Sequence, residues 1–458
     1  MIPPGAPSGS LRAPETPGGE GVRPTARRAV PRRAGAVLRM VLFTVVALSF
    51  GRLHELIPGA ATLPIGKILL PLGFLALLSQ PNFARRFRVL RTTQARMFGL
   101  LIAAMVVSIP FSLYRSGSVG DLTDFLRGTA SLVILVALAC ASEADLYGVA
   151  RTLVVAGGAL GLAVVAGAGE SIEGRAEAGT TYDPNDMALV AIVVLPMAIW
   201  MLRDKSRLWR WVGAACAVGA LATVLLSASR GGALGLVAIV IAMAVRYWKR
   251  VSMAGKMVAA ATLAGGLLAA PKTFWTRIGT LEDPNADYNA TSDVGRIAIW
   301  KRGLGYFASR PLTGVGLGQF GAAEGAWAEQ RRGPTAFKWS AAHSIWIQVL
   351  AETGILGIIG FLGLYLPTFR DVRRLRARAT GRAPPDESLH GLGIALGISI
   401  IGFFVAGTFL ADAYSPPAMM LAAVAMSYSY LVRQRTLPAR AVRRPPNASG
   451  FAQRKVVR

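Results

Sequence analysis

Long apolar stretches separated by polar loops recur along almost the whole chain. Twelve of them are close to the length that a helix needs to cross a bilayer, about 20 residues. They lie at residues 36–50, 58–79, 98–114, 123–141, 146–168, 187–202, 211–228, 231–247, 253–271, 343–368, 391–412 and 414–431. This pattern predicts an all-α polytopic membrane protein with about twelve transmembrane helices.

Composition supports the membrane class. Hydrophobic residues make up 53% of the 458 residues and the mean hydropathy is +0.47, which exceeds what the core of a soluble protein requires. The two cysteines, Cys140 and Cys216, both fall inside predicted helices. They therefore provide neither a disulfide framework nor the spacing of a metal site.

The lysines and arginines are concentrated in the two termini and in some of the loops. Most of the 50 lysines and arginines lie in residues 1–35, 80–97, 203–210, 246–256, 369–390 and 432–458. Because positively charged loops stay in the cytoplasm, both termini are predicted to be cytoplasmic. Residues 1–35 are predicted to be a disordered basic arm, residues 36–431 the transmembrane domain and residues 432–458 a basic tail. Membrane lipids account for the net charge of +26, so no nucleic-acid partner is inferred.

This topology places one large loop, residues 272–342, on the outer side of the membrane. Apolar residues recur at helical spacing within it, at Val294, Ile297, Trp300, Leu304 and Phe307. The spacing predicts an interfacial amphipathic helix. Arg296 falls at the edge of its apolar arc, where a headgroup contact and a functional role both stay open.

Two ionisable residues lie where a long apolar segment is predicted to reach the outer surface of the membrane. Arg230 lies in the sequence ASRGGALG, and His343 opens the sequence HSIWIQVLAETG. Ionisable residues at such positions are candidates for function. A guanidinium binds anions, and an imidazole with an ordinary pKa of ~6.5 can act as a general base. Together the two residues predict anion binding beside a proton acceptor.

Several short motifs in this order resemble the O-antigen ligase and O-antigen polymerase superfamily. They are Tyr182-Asp183-Pro184-Asn185, Ser229-Arg230-Gly231-Gly232, Gly295-Arg296, the glycine-rich segment at 311–318, and His343 with the helix that runs on to Glu352 and Gly354. The resemblance covers residues 40–431, and its strong motifs lie between residues 179 and 360.

The resemblance implies a membrane glycosyltransferase. Such an enzyme moves a glycan from undecaprenyl diphosphate to an acceptor sugar hydroxyl, on the outer face of the bacterial cytoplasmic (inner) membrane. The acceptor partner is another glycan or the lipid A core. No cofactor and no metal are expected.

Specific roles follow from the resemblance. Arg230 and Arg296 match the anion-binding arginines of the family, and His343 matches its essential histidine, the general base. Gly231 and Gly232 are expected to let a phosphate approach the backbone. The helix that begins there is expected to aim its positive dipole end and free N–H groups at the same place.

Four further residues are candidate supports for the site. Asp183, Asn185 and Ser229 come from the same motifs, and Glu352 lies two and a half helical turns beyond His343. This spacing puts Glu352 on the opposite helix face from His343, so a buried packing role is predicted.

Other residues keep two interpretations. Lys67 and Arg127 either enlarge the cationic site or extend to the headgroups. The three tryptophans Trp300, Trp327 and Trp339 either stack on sugars or anchor the loop at the headgroup level.

Three functions remain open from the sequence. A ligase would transfer finished polysaccharide to the lipid A core, and a polymerase would join repeat units while they are still lipid-linked. The alternative of a different class is a lipid-linked glycan transporter or flippase without enzymatic activity. A transporter would be expected to have paired halves and polar residues through the middle of the membrane, and neither is evident in the sequence.

Overall fold

The computed structural model describes residues 35–57, 59–60, 65–81, 83–167, 171–172, 175–176, 181–279, 292–333, 339–377 and 389–436. The disordered arm predicted at residues 1–35, apart from its last residue, lies outside this set, as does the tail beyond residue 436. Helices dominate the described residues, which confirms the all-α class. A small antiparallel hairpin pairs β1 (Ser171–Ile172) with β2 (Arg175–Ala176).

In the first half of the described chain the α-helices are α1 (Ala36–Gly51), α2 (Ile65–Leu78), α3 (Phe83–Arg86), α4 (Thr93–Ser108), α5 (Arg115–Phe125), α6 (Ser131–Ala139), α7 (Glu143–Val165), α8 (Pro184–Met201) and α9 (Arg207–Leu226). In the second half they are α10 (Arg230–Tyr247), α11 (Met253–Leu268), α12 (Lys272–Gly279), α13 (Arg296–Ser309), α14 (Phe320–Arg332), α15 (Ile345–Tyr365), α16 (Pro367–Ala377), α17 (Leu389–Gly407) and α18 (Pro416–Thr436). Short 3-10 helices lie at Leu53–Leu56, Phe87–Arg91 and Ile109–Phe111, and a π-helical turn, Leu126–Ala130, joins α5 to α6.

Helices lie at all twelve predicted apolar segments, but they are not equally suited to crossing a membrane. Within the described ranges, eight are long and apolar enough, and a ninth results if α11 and α12, which meet at a bend of 91°, form one span. The helices α1 and α2 are apolar but only 16 and 14 residues long. The chain is thus a multi-pass membrane protein, and the count of about twelve spans stays a prediction.

The centre of the bundle is formed by α8 and α17. Both are apolar around nearly their whole circumference and are buried along most of their length, as expected for interior helices. Small residues bring the neighbouring α10 close to α17, because a Cβ added at Gly235 would lie 3.0 Å from the Cβ of Ala406. Close backbone approach of this kind is a common means of helix association in membranes.

The helix α15 is interrupted, and the glycine-rich segment fills the interruption. Gly354 has φ +67° and ψ −161°, a conformation that favours glycine. The break leaves backbone N–H and carbonyl groups of α15 without partners inside the helix. These groups form hydrogen bonds with the segment before α14. The N–H of Ile355 donates to the carbonyl oxygen of Pro311 at 2.8 Å, and the N–H of Val315 donates to that of Ala351 at 2.7 Å. The motif at 311–318 therefore stabilises the kink of the helix that follows His343.

Candidate active site

His343 lies in a strained turn directly before α15. Its φ is +48°, in the left-handed region that residues with a side chain rarely adopt. The carbonyl oxygen of the preceding Ala342 accepts a 3.1 Å hydrogen bond from the indole Nε1 of Trp300. Trp300 belongs to α13, so this bond ties the histidine turn to the helix that begins with Arg296. Backbone strain that the surrounding structure holds in place is a common property of functional sites.

His343 interacts electrostatically with both Arg296 and Asp183, although 160 residues of sequence separate it from Asp183. Burial, followed by the positive charge of Arg296, lowers the pKa of His343, while the carboxylate of Asp183 acts in the opposite direction. The depressed pKa means that the imidazole is neutral at pH 7. A neutral imidazole is the form that can accept a proton.

Asp183 also organises the start of α8. Its side chain accepts hydrogen bonds from the backbone N–H groups of Asn185 at 2.6 Å and Asp186 at 2.9 Å, and the N–H of Asp183 donates to the Asp186 side chain at 3.1 Å. This reciprocal capping box, with Pro184 in the first turn, fixes the helix end beside the histidine.

A third carboxylate, Asp412, joins this group from the segment between α17 and α18. It shares a side-chain hydrogen bond with Asp186. Burial and then the charge of Asp183 raise the pKa of Asp412. Sequence patterns did not indicate Asp412, because it is one aspartate in a short connection and its closeness to Asp183 arises only when α8 and α17 pack together.

Arg230 begins α10, as the motif predicted. The preceding Ser229 caps this helix, since its hydroxyl oxygen accepts a 3.2 Å hydrogen bond from the N–H of Gly232. This bond corrects the expectation that the N–H groups here are free, because the one on Gly232 already has a partner.

Helix packing explains why positions 231 and 232 are occupied by glycine. A Cβ added at Gly232 would lie 2.6 Å from the Cβ of Ala188, and one added at Gly231 would lie 3.1 Å from the Cβ of Phe409. Both glycines therefore let α10 approach its neighbours. Their predicted role in admitting a phosphate to the backbone stays a prediction.

Phe409 links the Arg230 helix to the histidine turn. On one side its Cβ lies next to Gly231, 3.1 Å from the place that a Cβ on this glycine would take. On the other side its ring packs on the ring of Trp300, at a centroid distance of 6.0 Å. Trp300 in turn bonds Ala342. A continuous chain of contacts thus connects the two predicted site elements, and neither Phe409 nor this role of Trp300 was anticipated from the sequence.

Arg175, in strand β2, joins two of the motifs. Its Nε donates to the carbonyl oxygen of Ser227 at 3.0 Å, and its terminal nitrogen donates to Oδ1 of Asn185 at 3.0 Å. Asn185 is therefore held against the turn that precedes Arg230. Arg175 could not be selected from the sequence, since a single arginine in a polar loop carries no periodic signal.

The predicted amphipathic helix of the large loop is present as α13. Ile297 and Leu304 are exposed, as the lipid-facing side of an interfacial helix would be. Ile299 and Gly303 are buried instead, and Gly303 lies against Ile347 of α15. The interfacial position itself stays a prediction.

Glu352 is buried, as predicted, with 3% of its surface exposed. It lies deeper along α15 than the histidine turn and lines a cavity with residues of α5. Lys67 and Arg127 line a different cavity, of about 690 Å³, together with Arg52 and His54.

The other two tryptophans have separate positions. Trp327 packs under the guanidinium of Arg302, whose carbon lies 4.0 Å from the ring centroid. Trp339 is exposed.

Comparison with known proteins identifies the family of the central region. No curated protein matches the chain. Residues 215–362 match the model of a family described as O-Antigen ligase. The matched part contains Arg230, Arg296 and His343, whereas Asp183 precedes it and Asp412 follows it. The region that carries the two arginines and the histidine is therefore similar to the O-antigen ligase family, and the resemblance predicted from the motifs is confirmed.

Proposed function

We propose that this protein is a glycosyltransferase that moves a glycan from undecaprenyl diphosphate to the hydroxyl group of an acceptor sugar. The observation that carries the proposal is the position of His343, within electrostatic reach of both Arg296 and Asp183. The family match over residues 215–362 supports the same reaction class.

In the proposed reaction, His343 is the general base. The acceptor hydroxyl gives its proton to the neutral imidazole while its oxygen attacks the anomeric carbon of the donor. The bond between that carbon and the diphosphate oxygen breaks, and the electron pair stays on the diphosphate. Arg230 and Arg296 bind the developing negative charge, because planar guanidinium groups can hold phosphate oxygens through two parallel hydrogen bonds.

The acidic residues have a different role. Asp183 faces His343, and a carboxylate there favours the imidazolium that forms when the proton is taken up. Arg296 has the opposite effect and keeps the resting imidazole neutral. The histidine is thus placed between two charges that act on different stages of the reaction, one before and one after proton transfer.

The proposed location is the outer face of the cytoplasmic membrane, with both termini in the cytoplasm. The distribution of lysine and arginine supports this orientation. Asp183, Arg230 and His343 precede or begin α8, α10 and α15. Under the proposed topology all three helices start on the outer side, so their first residues share one face.

A transfer assay tests the proposal. Purified protein in lipid nanodiscs would receive undecaprenyl-diphosphate-linked glycan together with either lipid A core or a second lipid-linked repeat unit. Formation of a larger glycan and release of undecaprenyl diphosphate are expected. His390→Gln is a matched control, since His390 is a buried histidine that contacts Arg246, at the far end of α10. It should leave transfer unchanged. A protein that moves lipid-linked glycan between leaflets without changing it would contradict the proposal.

The acceptor separates the two enzymatic possibilities. A deletion strain that accumulates long, unligated chains would indicate a ligase, and one that displays single repeat units would indicate a polymerase. The donor and the mechanism are the same in both cases.

A further inference from the structure

A second cavity, of about 320 Å³, lies between α5, the segment after α13 and the first turns of α15. Three carboxylates line it: Asp121 and Asp124 on one face of α5, and Glu352 on α15. Phe125 and Leu317 add an apolar wall. The volume of the cavity is that of a small-molecule site, and most of the side chains that line it are polar.

Glu352 gives this cavity an unfilled hydrogen-bonding site. Only 3% of the residue is exposed, yet its Oε2 has no hydrogen-bond partner within the described part of the chain. Buried polar atoms nearly always have a partner, and leaving one without costs about 1–3 kcal/mol. Because the residue lines the cavity, a bound molecule can supply the missing donor.

The chemistry of the lining selects the ligand. Carboxylates accept hydrogen bonds, so a ligand that carries hydrogen-bond donors suits this lining. A sugar does so through its hydroxyl groups and offers C–H faces to an apolar wall. The acidic residues of the lining disfavour an anionic group such as a diphosphate. Among the described residues, no group of three or more His, Cys, Asp or Glu side chains has the arrangement of a metal site.

The cavity adjoins the candidate active site. Gln348, which lines it, accepts a 3.1 Å hydrogen bond from the backbone N–H of Ala413 through its Oε1. Asp412, the preceding residue, is within the electrostatic field of Asp183. The segment 412–414 therefore has the acidic cavity on one side and the residues around His343 on the other.

We propose that this acidic cavity binds a sugar unit of the acceptor glycan through its hydroxyl groups. The inference rests on the proposed transferase function and adds a subsite to it. The two sites would bind different groups, since arginines hold the anionic diphosphate of the donor while carboxylates accept hydrogen bonds from the hydroxyl groups of the acceptor sugar.

Substitution of the carboxylates by amides tests the subsite. The variants are Glu352→Gln and, because a buried change can affect folding, Asp121→Asn at an exposed position. Glu329→Gln is the matched control, an exposed carboxylate on α14 outside the cavity lining. In the transfer assay, KM for lipid A core or for the lipid-linked acceptor should rise about tenfold in both cavity variants. KM for the donor and kcat should stay within twofold.

Direct binding separates this inference from the transferase proposal. The probes are delipidated core oligosaccharide and delipidated repeat-unit oligosaccharide from the source bacterium, and their binding to wild type and variants in nanodiscs is measured by calorimetry, with and without Mg²⁺. Weaker binding in both cavity variants supports the subsite, even if no transfer is detected. Equal binding in wild type and variants, no binding of either probe to wild type, or Mg²⁺ binding that depends on the carboxylates in place of saccharide binding would overturn it.

Discussion

The indole Nε1 of Trp300 donates a 3.1 Å hydrogen bond to the carbonyl oxygen of Ala342, the residue before His343. The bond holds a turn in which the histidine has φ +48°. Because Arg296 lies one helical turn before Trp300 on α13, the same helix supplies both the cation and the group that fixes the histidine turn.

Replacing Trp300 by Phe should impair catalysis more than substrate binding. The ring remains, but the Ala342 carbonyl loses its donor, and a lost hydrogen bond of this kind is equivalent to about 1–3 kcal/mol. Transfer at saturating donor should fall about tenfold, as 1.4 kcal/mol corresponds to a factor of ten in rate. Trp211→Phe, at an exposed position on α9, should have no effect. An unchanged rate in the Trp300 variant would mean that the turn does not need this bond.

Arg230→Lys should fail almost as severely as Arg230→Ala. The ammonium group of lysine is a point charge and cannot reproduce a two-point grip on a diphosphate. Donor affinity and single-turnover transfer would be measured in nanodiscs, with Arg207→Lys on the exposed start of α9 as the control. Full activity in Arg230→Lys would show that the diphosphate does not need two parallel hydrogen bonds from Arg230.

His343→Gln should separate proton transfer from donor binding. Glutamine keeps a polar side chain of similar reach but has no proton acceptor of suitable pKa, so single-turnover transfer should fall roughly 100-fold or more while donor affinity survives. A loss of donor affinity as large as that in Arg230→Ala would instead assign His343 to the diphosphate site.

Arg296→Gln should move the pH dependence of the residual activity. In wild type, the pKa of His343 lies below its usual value, so the base stays deprotonated at neutral pH and transfer declines only as the pH falls through that depressed pKa. Removing the positive charge of Arg296 raises the histidine pKa, and the acid limb should shift to higher pH. Lys301→Gln, on the exposed face of α13, should not shift it. Coincident profiles for wild type and Arg296→Gln would refute the electrostatic coupling.

Gly232→Ala should damage the protein through packing. Its new Cβ would lie 2.6 Å from the Cβ of Ala188, a distance that requires α10 or α8 to move. The control is Gly265→Ala on α11, where a Cβ meets nothing within 4 Å and helix propensity improves by about 1 kcal/mol. Thermal unfolding in detergent should show a clear loss of stability for Gly232→Ala alone. A variant of normal stability that fails only in donor binding would favour the phosphate-approach role.

Hydrophobic periodicity determined the all-α membrane class and the positions of the helices, because a bilayer demands apolar stretches and internal backbone hydrogen bonds wherever the chain crosses it. The count of spans did not follow as directly. A 14-residue apolar helix such as α2 and a bent pair such as α11 and α12 have the composition of membrane segments, but their length and geometry depend on their neighbours.

Short motifs also identified the family and selected Arg230, Arg296 and His343, since a permanent cation and a titratable base at the ends of apolar segments are informative by themselves. The contacts that link their segments are decided by packing between distant parts of the chain. Asp412 meets Asp183 only through the contact of α17 with α8, and Phe409 joins Gly231 to Trp300 only because three helix ends converge.

The tertiary structure also changed the physical explanation of several residues. Gly231 and Gly232 were selected as glycines that admit a phosphate to the backbone, and the structure adds a second reason, helix packing. Glu352 was expected to be buried, but helical spacing could not show that it lines an acidic cavity, or that its Oε2 has no hydrogen-bond partner among the residues that the structure describes. Periodicity reports which face of a helix avoids water, whereas a binding cavity depends on which groups of other helices oppose that face.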